Sequence, residues 1–120
     1  MFDATRTAAA YLATWNAEDH GERRRLLDRH WSPDVTYVDP LAEVTGHDGV
    51  VALVDGARAQ FPGLVFTLLD EVDAHHQQLR FRWALGPEEG PPVVIGSDVV
   101  LVDDEGRITD VRGFLDLVPA

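Results

Sequence analysis

The chain has 120 residues, 45% of them hydrophobic, no cysteine, and a formal charge of −11 from 21 acidic and 10 basic side chains. A chain of this length and composition suits one domain, residues 1–120, with one core. Disulfides, thiol catalysis and cysteine-held metals are excluded, and the negative charge sets the chain against phosphate backbones and anionic lipid surfaces, so neither nucleic acid nor membrane is expected as a partner.

Residues 3–16 predict a helix. Asp3 or Thr5 can cap its start, and Ala8, Tyr11, Leu12 and Trp15 fall on one stripe at helical spacing. Asn16 to Gly21 breaks the pattern. A second helix is predicted over 21–30, with Leu26, Leu27, His30 and Trp31 inward and Arg23-Arg24-Arg25 pointing away as a solvated face. Ser32-Pro33-Asp34 ends it. Val35–Asp39 reads as a short strand, stopped by Pro40, which lacks a ladder donor and forces Asp39 to be extended. A loop to Gly46 follows. A third helix is predicted over 47–60, with Val50, Val54, Ala57 and Phe61 on its inner stripe.

The second half predicts four strands, 64–72, 77–85, 92–102 and 107–117, separated by segments rich in turn formers. Short links between consecutive strands imply an antiparallel meander. Helices gathered in one half and strands in the other give α+β, with the helices on one face of a curved sheet.

Three polar residues stand in apolar settings. Asp98 lies inside Val93-Val94-Ile95-Gly96-Ser97-Asp98-Val99-Val100-Leu101-Val102, where an ionised carboxylate is costly unless paired. It shares a face with Val94, Gly96, Val100 and Val102, and Gly96 leaves space suited to a ligand. Asp39 ends a strand whose same-face residues are Val35 and Tyr37, a place from which a carboxylate can act as a general base. Tyr11 lies on the first-helix stripe, where a phenol can donate to a developing oxyanion. Each also has a structural reading: Asp98 bonded to an amide or to Arg82 or Arg112, Asp39 as a turn former, Tyr11 as core.

Element order and residues together resemble the SnoaL-like branch of the nuclear transport factor two-like superfamily. The resemblance is carried by residues 11–19 (Tyr-Leu-Ala-Thr-Trp-Asn-Ala-Glu-Asp), 31–40 (Trp-Ser-Pro-Asp-Val-Thr-Tyr-Val-Asp-Pro) and Gly46-His47-Asp48-Gly49-Val50. Phe61-Pro62-Gly63-Leu64, Gly96-Ser97-Asp98-Val99 and Asp104-Glu105-Gly106-Arg107-Ile108 continue it. It implies a cone-shaped fold, a curved mixed and mostly antiparallel sheet wrapped around three N-terminal helices, with a pocket at the open end and a homodimer through the outer sheet face. The nearest chemical parallel in the superfamily is ketosteroid isomerase, whose aspartate base and oxyanion hole of a tyrosine and a protonated aspartate are an established case of pKa tuning. Tyr11, Asp39 and Asp98 match those positions. Polyketide cyclases of the SnoaL type are also similar at Asp98.

These readings lead to a pocket for a small hydrophobic, carbonyl-bearing molecule, with Tyr11, Asp39 and Asp98 as catalytic candidates and Trp15, Trp31 and His47 as its walls. The chemistry would be isomerase or cyclase type, and a non-catalytic binding or structural module of the same fold is the alternative. No cofactor is expected, and no His, Asp and Glu spacing resembles a metal motif. His75-His76 reads as a solvated turn. There is no serine-nucleophile elbow or phosphate loop. No apolar run reaches the ~20 residues of a membrane span. The first residues lack the order of a secretion signal, so a cytoplasmic protein is expected.

Overall fold

A computed structural model describes residues 2–119. Helix α1 (Ala4–Asn16) starts where the Asp3 carboxylate accepts the Arg6 amide, and α2 (His20–His30) where Asp19 accepts the Glu22 amide. Both caps satisfy amides that the first helical turn leaves free. Strand β1 (Trp31–Asp39) follows α2 directly, then β2 (Ala42–Thr45) and helix α3 (Gly46–Gln60). The remaining strands are β3 (Val65–Leu68), β4 (Asp73–His75), β5 (Gln78–Gly86), β6 (Val94–Val102) and β7 (Ile108–Leu117).

The seven strands form one mixed sheet in the order β2-β1-β7-β6-β5-β3, with β4 also on β5. Every pairing is antiparallel except β1 with β7. The expected α+β architecture is therefore present, and β1 joins the sheet as a parallel neighbour of the last strand. Register breaks in β1 between Trp31 and Thr36, and in β6–β7 at Ile95/Gly96 and Leu101/Val102, are places where a sheet bends.

Three boundaries differ from expectation. Strand β1 begins at Trp31, because Ser32-Pro33-Asp34 stays extended and Pro33 falls in the irregular stretch of the ladder. The segment expected as a loop before Gly46 contains β2. Asp39 accepts the Leu41 and Ala42 amides, turning the chain after two residues so that Ala42 pairs back onto Asp39. The strand expected over 64–72 is split. Its first part is β3, and the chain pairs again only at β4, on the same edge of β5. The β4–β5 turn is His76-Gln77, with His76 at φ +54° as a primed hairpin turn needs.

The core lies between the helices and the inner sheet face. Ala8, Tyr11, Leu12 and Trp15 of α1 and Val50 and Val54 of α3 meet Val35, Phe81, Val100 and Val111 from the sheet. Arg23 does not point to solvent. It is 2% exposed, donates to the Ala17 carbonyl at 2.6 Å and pairs with Asp55, tying the α1–α2 link to α3. Arg24 pairs with Asp48, also on α3, and Arg25 is exposed. No helix among the described residues is long and apolar enough to cross a membrane.

Candidate active site

Alternation along β6 turns Val94, Gly96, Asp98, Val100 and Val102 toward the helices. Asp98 pairs with Gly113 on one side and with Phe81 on the other. Gly113 is what lets the carboxyl lie flat. A Cβ there would stand 2.5 Å from Asp98 Oδ1 and 3.3 Å from Asp39 Cβ, so the two acids flank one bare backbone position. Gly96 does the same for Trp83. A Cβ at Gly96 would stand 2.2 Å from the indole Cζ2, and the ring crosses this gap to donate from Nε1 to Asp98 Oδ2 at 2.7 Å. The space expected for a ligand at Gly96 is thus occupied by Trp83.

Tyr11 is buried, with Trp31 stacked on it at 5.4 Å and Phe81 edge-on at 5.2 Å. Its hydroxyl interacts with the Asp98 carboxyl and the Tyr37 hydroxyl, and burial first, then the Asp98 charge, pushes the phenol well above its usual range. Tyr37 donates to Asp39 Oδ2 at 2.7 Å, and burial followed by the charges of Asp98 and Asp39 raises this phenol too. Asp39 Oδ1 accepts the Leu41 and Ala42 amides at 2.8 and 2.9 Å. One polar chain thus runs Trp83, Asp98, Tyr11, Tyr37, Asp39 through an apolar core.

Asp98 is 3% exposed, and burial pushes its carboxyl up to about 7. Donation from Trp83 and Tyr11 opposes that rise, whereas the charges of Asp39 and Asp116 add to it. No arginine joins this chain among the described residues. Arg82 pairs with Asp70 and Asp116, and Arg112 with Asp110.

Beside the polar chain is a cavity of about 440 Å³. Tyr11, Tyr37 and Asp39 line it together with Trp15, Phe66, Trp83, Leu85, Val94 and Leu115, and α3 adds Leu53, Ala57 and Gln60. Leu41, 81% exposed, and Val118 stand on its lining as well. Of the expected residues, Tyr11, Asp39 and Trp15 are on the wall. Asp98 is not among the lining residues; its carboxyl lies behind Trp83 and Tyr11. Trp31 is also off the wall: it is fully buried behind Tyr11 and donates to Thr14 Oγ1 at 3.1 Å. His47 is off the wall because both ring nitrogens are engaged elsewhere, Nε2 lying 2.9 Å from the Trp31 carbonyl and Nδ1 3.4 Å from Asp28. It fastens α3 to α2 and β1. The residues missed are Tyr37 and Trp83. Tyr37 was signalled by its place two residues before Asp39 on one strand face. Trp83 had no such signal, because its meeting with Asp98 depends on the β5–β6 register.

A SnoaL-like domain model matches residues 8–111. A protein of the SnoaL-like family from Agrobacterium tumefaciens, provisionally called an isomerase, is 42% identical. It superimposes with a TM-score of 0.88 over 94% of this chain and 97% of its own. Two proteins provisionally called polyketide cyclases show the fold alone. The one from Jannaschia sp. CCS1 is 19% identical with a TM-score of 0.74, over 94% of this chain and 85% of its own. The one from Sinorhizobium meliloti is 18% identical with a TM-score of 0.70, over 93% and 99%. No curated protein matches the chain.

Proposed function

We propose, from the premise that this chain belongs to the SnoaL-like domain family, that its cavity takes a small hydrophobic molecule bearing a carbonyl group and moves a proton at the carbon next to that carbonyl. One observation carries the reading. Apart from Gln60 and the indole N–H groups of Trp15 and Trp83, the polar side-chain groups on an otherwise apolar wall are two phenols and a carboxylate, joined in one chain to a buried acid that burial pushes up to about 7.

In this mechanism Asp39 takes the α-proton, and the electron pair moves onto the carbonyl oxygen. Tyr11 donates its hydroxyl proton toward that oxygen and holds the enolate. The proton on Asp39 then returns to another carbon in an isomerisation, or, in a cyclisation, the enolate carbon attacks a second carbonyl and the alkoxide so formed takes the proton from Asp39. Asp98 acts from behind, through Tyr11. The substrate is neutral. Among the described residues the lining holds no arginine or histidine, and the sequence has no lysine, so a carboxylate or phosphate on the ligand would meet Asp39 without a counter-charge. In the same proposal two copies pair through the outer sheet face, where Phe114 is 61% and Val38 39% exposed.

Deuterium exchange at the α-carbon of β,γ-unsaturated ketones and β-diketones, followed by proton NMR, tests the reading. Exchange that Asp39→Asn abolishes supports it. A second reading, a non-catalytic binding module, is favoured by the engagement of both Asp39 oxygens in local hydrogen bonds. Binding of the same ketones without exchange would select that second reading.

A further inference from the structure

Trp83 has two unusual requirements met at once. Its ring lies where a side chain at Gly96 would clash, and its donor-only N–H ends on a buried carboxyl oxygen. An indole is not needed there merely to fill space, since a phenyl ring would also lie over a glycine. What the indole adds is the N–H, directed at Oδ2 and not at Oδ1, which lies over Gly113.

We propose that Trp83 is a positioning residue that decides which oxygen of Asp98 carries the proton. By donating to Oδ2 it reserves that atom as an acceptor, and the proton of the neutral acid sits on Oδ1. From there Asp98 donates to the Tyr11 oxygen, and the Tyr11 hydroxyl is free to donate into the cavity. When Asp98 ionises, Tyr11 donates back to it, and the cavity loses its donor. This rests on the catalytic reading above and adds a direction to its pH dependence. The neutral form prevails below about pH 7, so turnover falls as pH rises through that value. The groups that face Asp98 are Tyr11 from α1, Tyr37 and Asp39 from β1, Trp83 from β5 and Asp116 from β7. Tyr11 and Tyr37 remain protonated across this range, and Asp98 is the carboxyl that the Trp83 indole N–H touches.

Two measurements decide it. The first uses the Trp83 indole N–H resonance, assigned by its loss in Trp83→Phe. It should shift with pH in a single step between about pH 5 and about pH 9, and Asp98→Asn should abolish the step. A resonance fixed across that range overturns the proposal, and this readout needs no substrate. The second is the pH profile of kcat/KM. Asp98→Asn presents a permanent amide, whose oxygen suits Trp83 and whose N–H₂ suits Tyr11, so the alkaline limb should vanish while turnover persists. Trp83→Phe removes a donor that favours the charged form, so the limb should move up by about one pH unit. A limb that stays or moves down in folded Trp83→Phe also overturns it. If no carbonyl compound exchanges at all, the catalytic reading fails, and the indole titration still decides the role of Trp83.

Discussion

A carboxyl group at an inward strand position must be neutral or well supplied with donors, and Asp98 is placed between those conditions. Its ordinary value is 3.8 and burial lifts it to about 7, a separation of about 4 kcal/mol. The sign follows from which state releases the proton first. Below about pH 4 both folded and unfolded chains hold it and there is no penalty. Between about 4 and about 7 the unfolded chain releases it and the folded one does not, so stability falls as pH rises, and above about 7 the loss is constant. Asp98→Asn should therefore melt at a higher temperature than the parent at pH 8, with the gap closing near pH 4; scanning calorimetry at the two pH values checks this. At Asp39 the expectation concerns rate. Asp39→Asn keeps an acceptor for the Leu41 and Ala42 amides, so the fold should hold while turnover drops about 10²–10⁴-fold. Tyr11→Phe removes one oxyanion donor and should cost about 10²–10³-fold at most, read from initial rates beside a matching circular dichroism spectrum. Asp98 stood out in the sequence because an acid amid valines has no surface explanation. Trp83 did not, because a tryptophan on a strand is ordinary until its partner is known.

Elements α2 and β6 show what local pattern misses. The three arginines of α2 look alike in sequence, yet Arg23 alone faces inward, because the α1–α2 link leaves the Ala17 carbonyl buried and in need of a donor. Arg23→Met should lower stability by about 2–3 kcal/mol in urea denaturation, since that carbonyl loses its partner. Arg25→Met, at an exposed position, should change it little. On β6 the glycine matters for what crosses it. Gly96→Ala places a methyl group 2.2 Å from the indole, so the ring must leave its position. The expected cost is about 1–3 kcal/mol, with loss of the Trp83 indole N–H titration. Strands β2 and β4 have four and three residues, too short for a periodic signal, and they form because a neighbouring strand offers an open edge.

At the scale of the whole molecule the charge of −11 and the apolar cavity act together. A neutral ketone should bind more tightly than the same skeleton carrying a carboxylate, and the difference should shrink with added salt; titration calorimetry on the matched pair tests this. Light scattering on the parent and on Phe114→Glu tests the proposed pairing of two copies, with a dimer expected for the first and a monomer for the second. The sequence by itself determined the order of the three helices and the longer strands, the α+β class and the family, because hydrophobic periods, caps and turn residues are local properties that each segment carries with it. It also singled out Tyr11, Asp39 and Asp98 as candidates, because their polarity conflicts with their surroundings. Only the tertiary structure decided how they meet. It put Asp98 behind the wall instead of on it, moved Trp31 and His47 away from the cavity, filled the gap at Gly96 with Trp83 and inserted Tyr37 between Tyr11 and Asp39. Those outcomes depend on the parallel joining of β1 to β7 and on the β5–β6 register, contacts between residues distant in the chain, to which no single segment is sensitive.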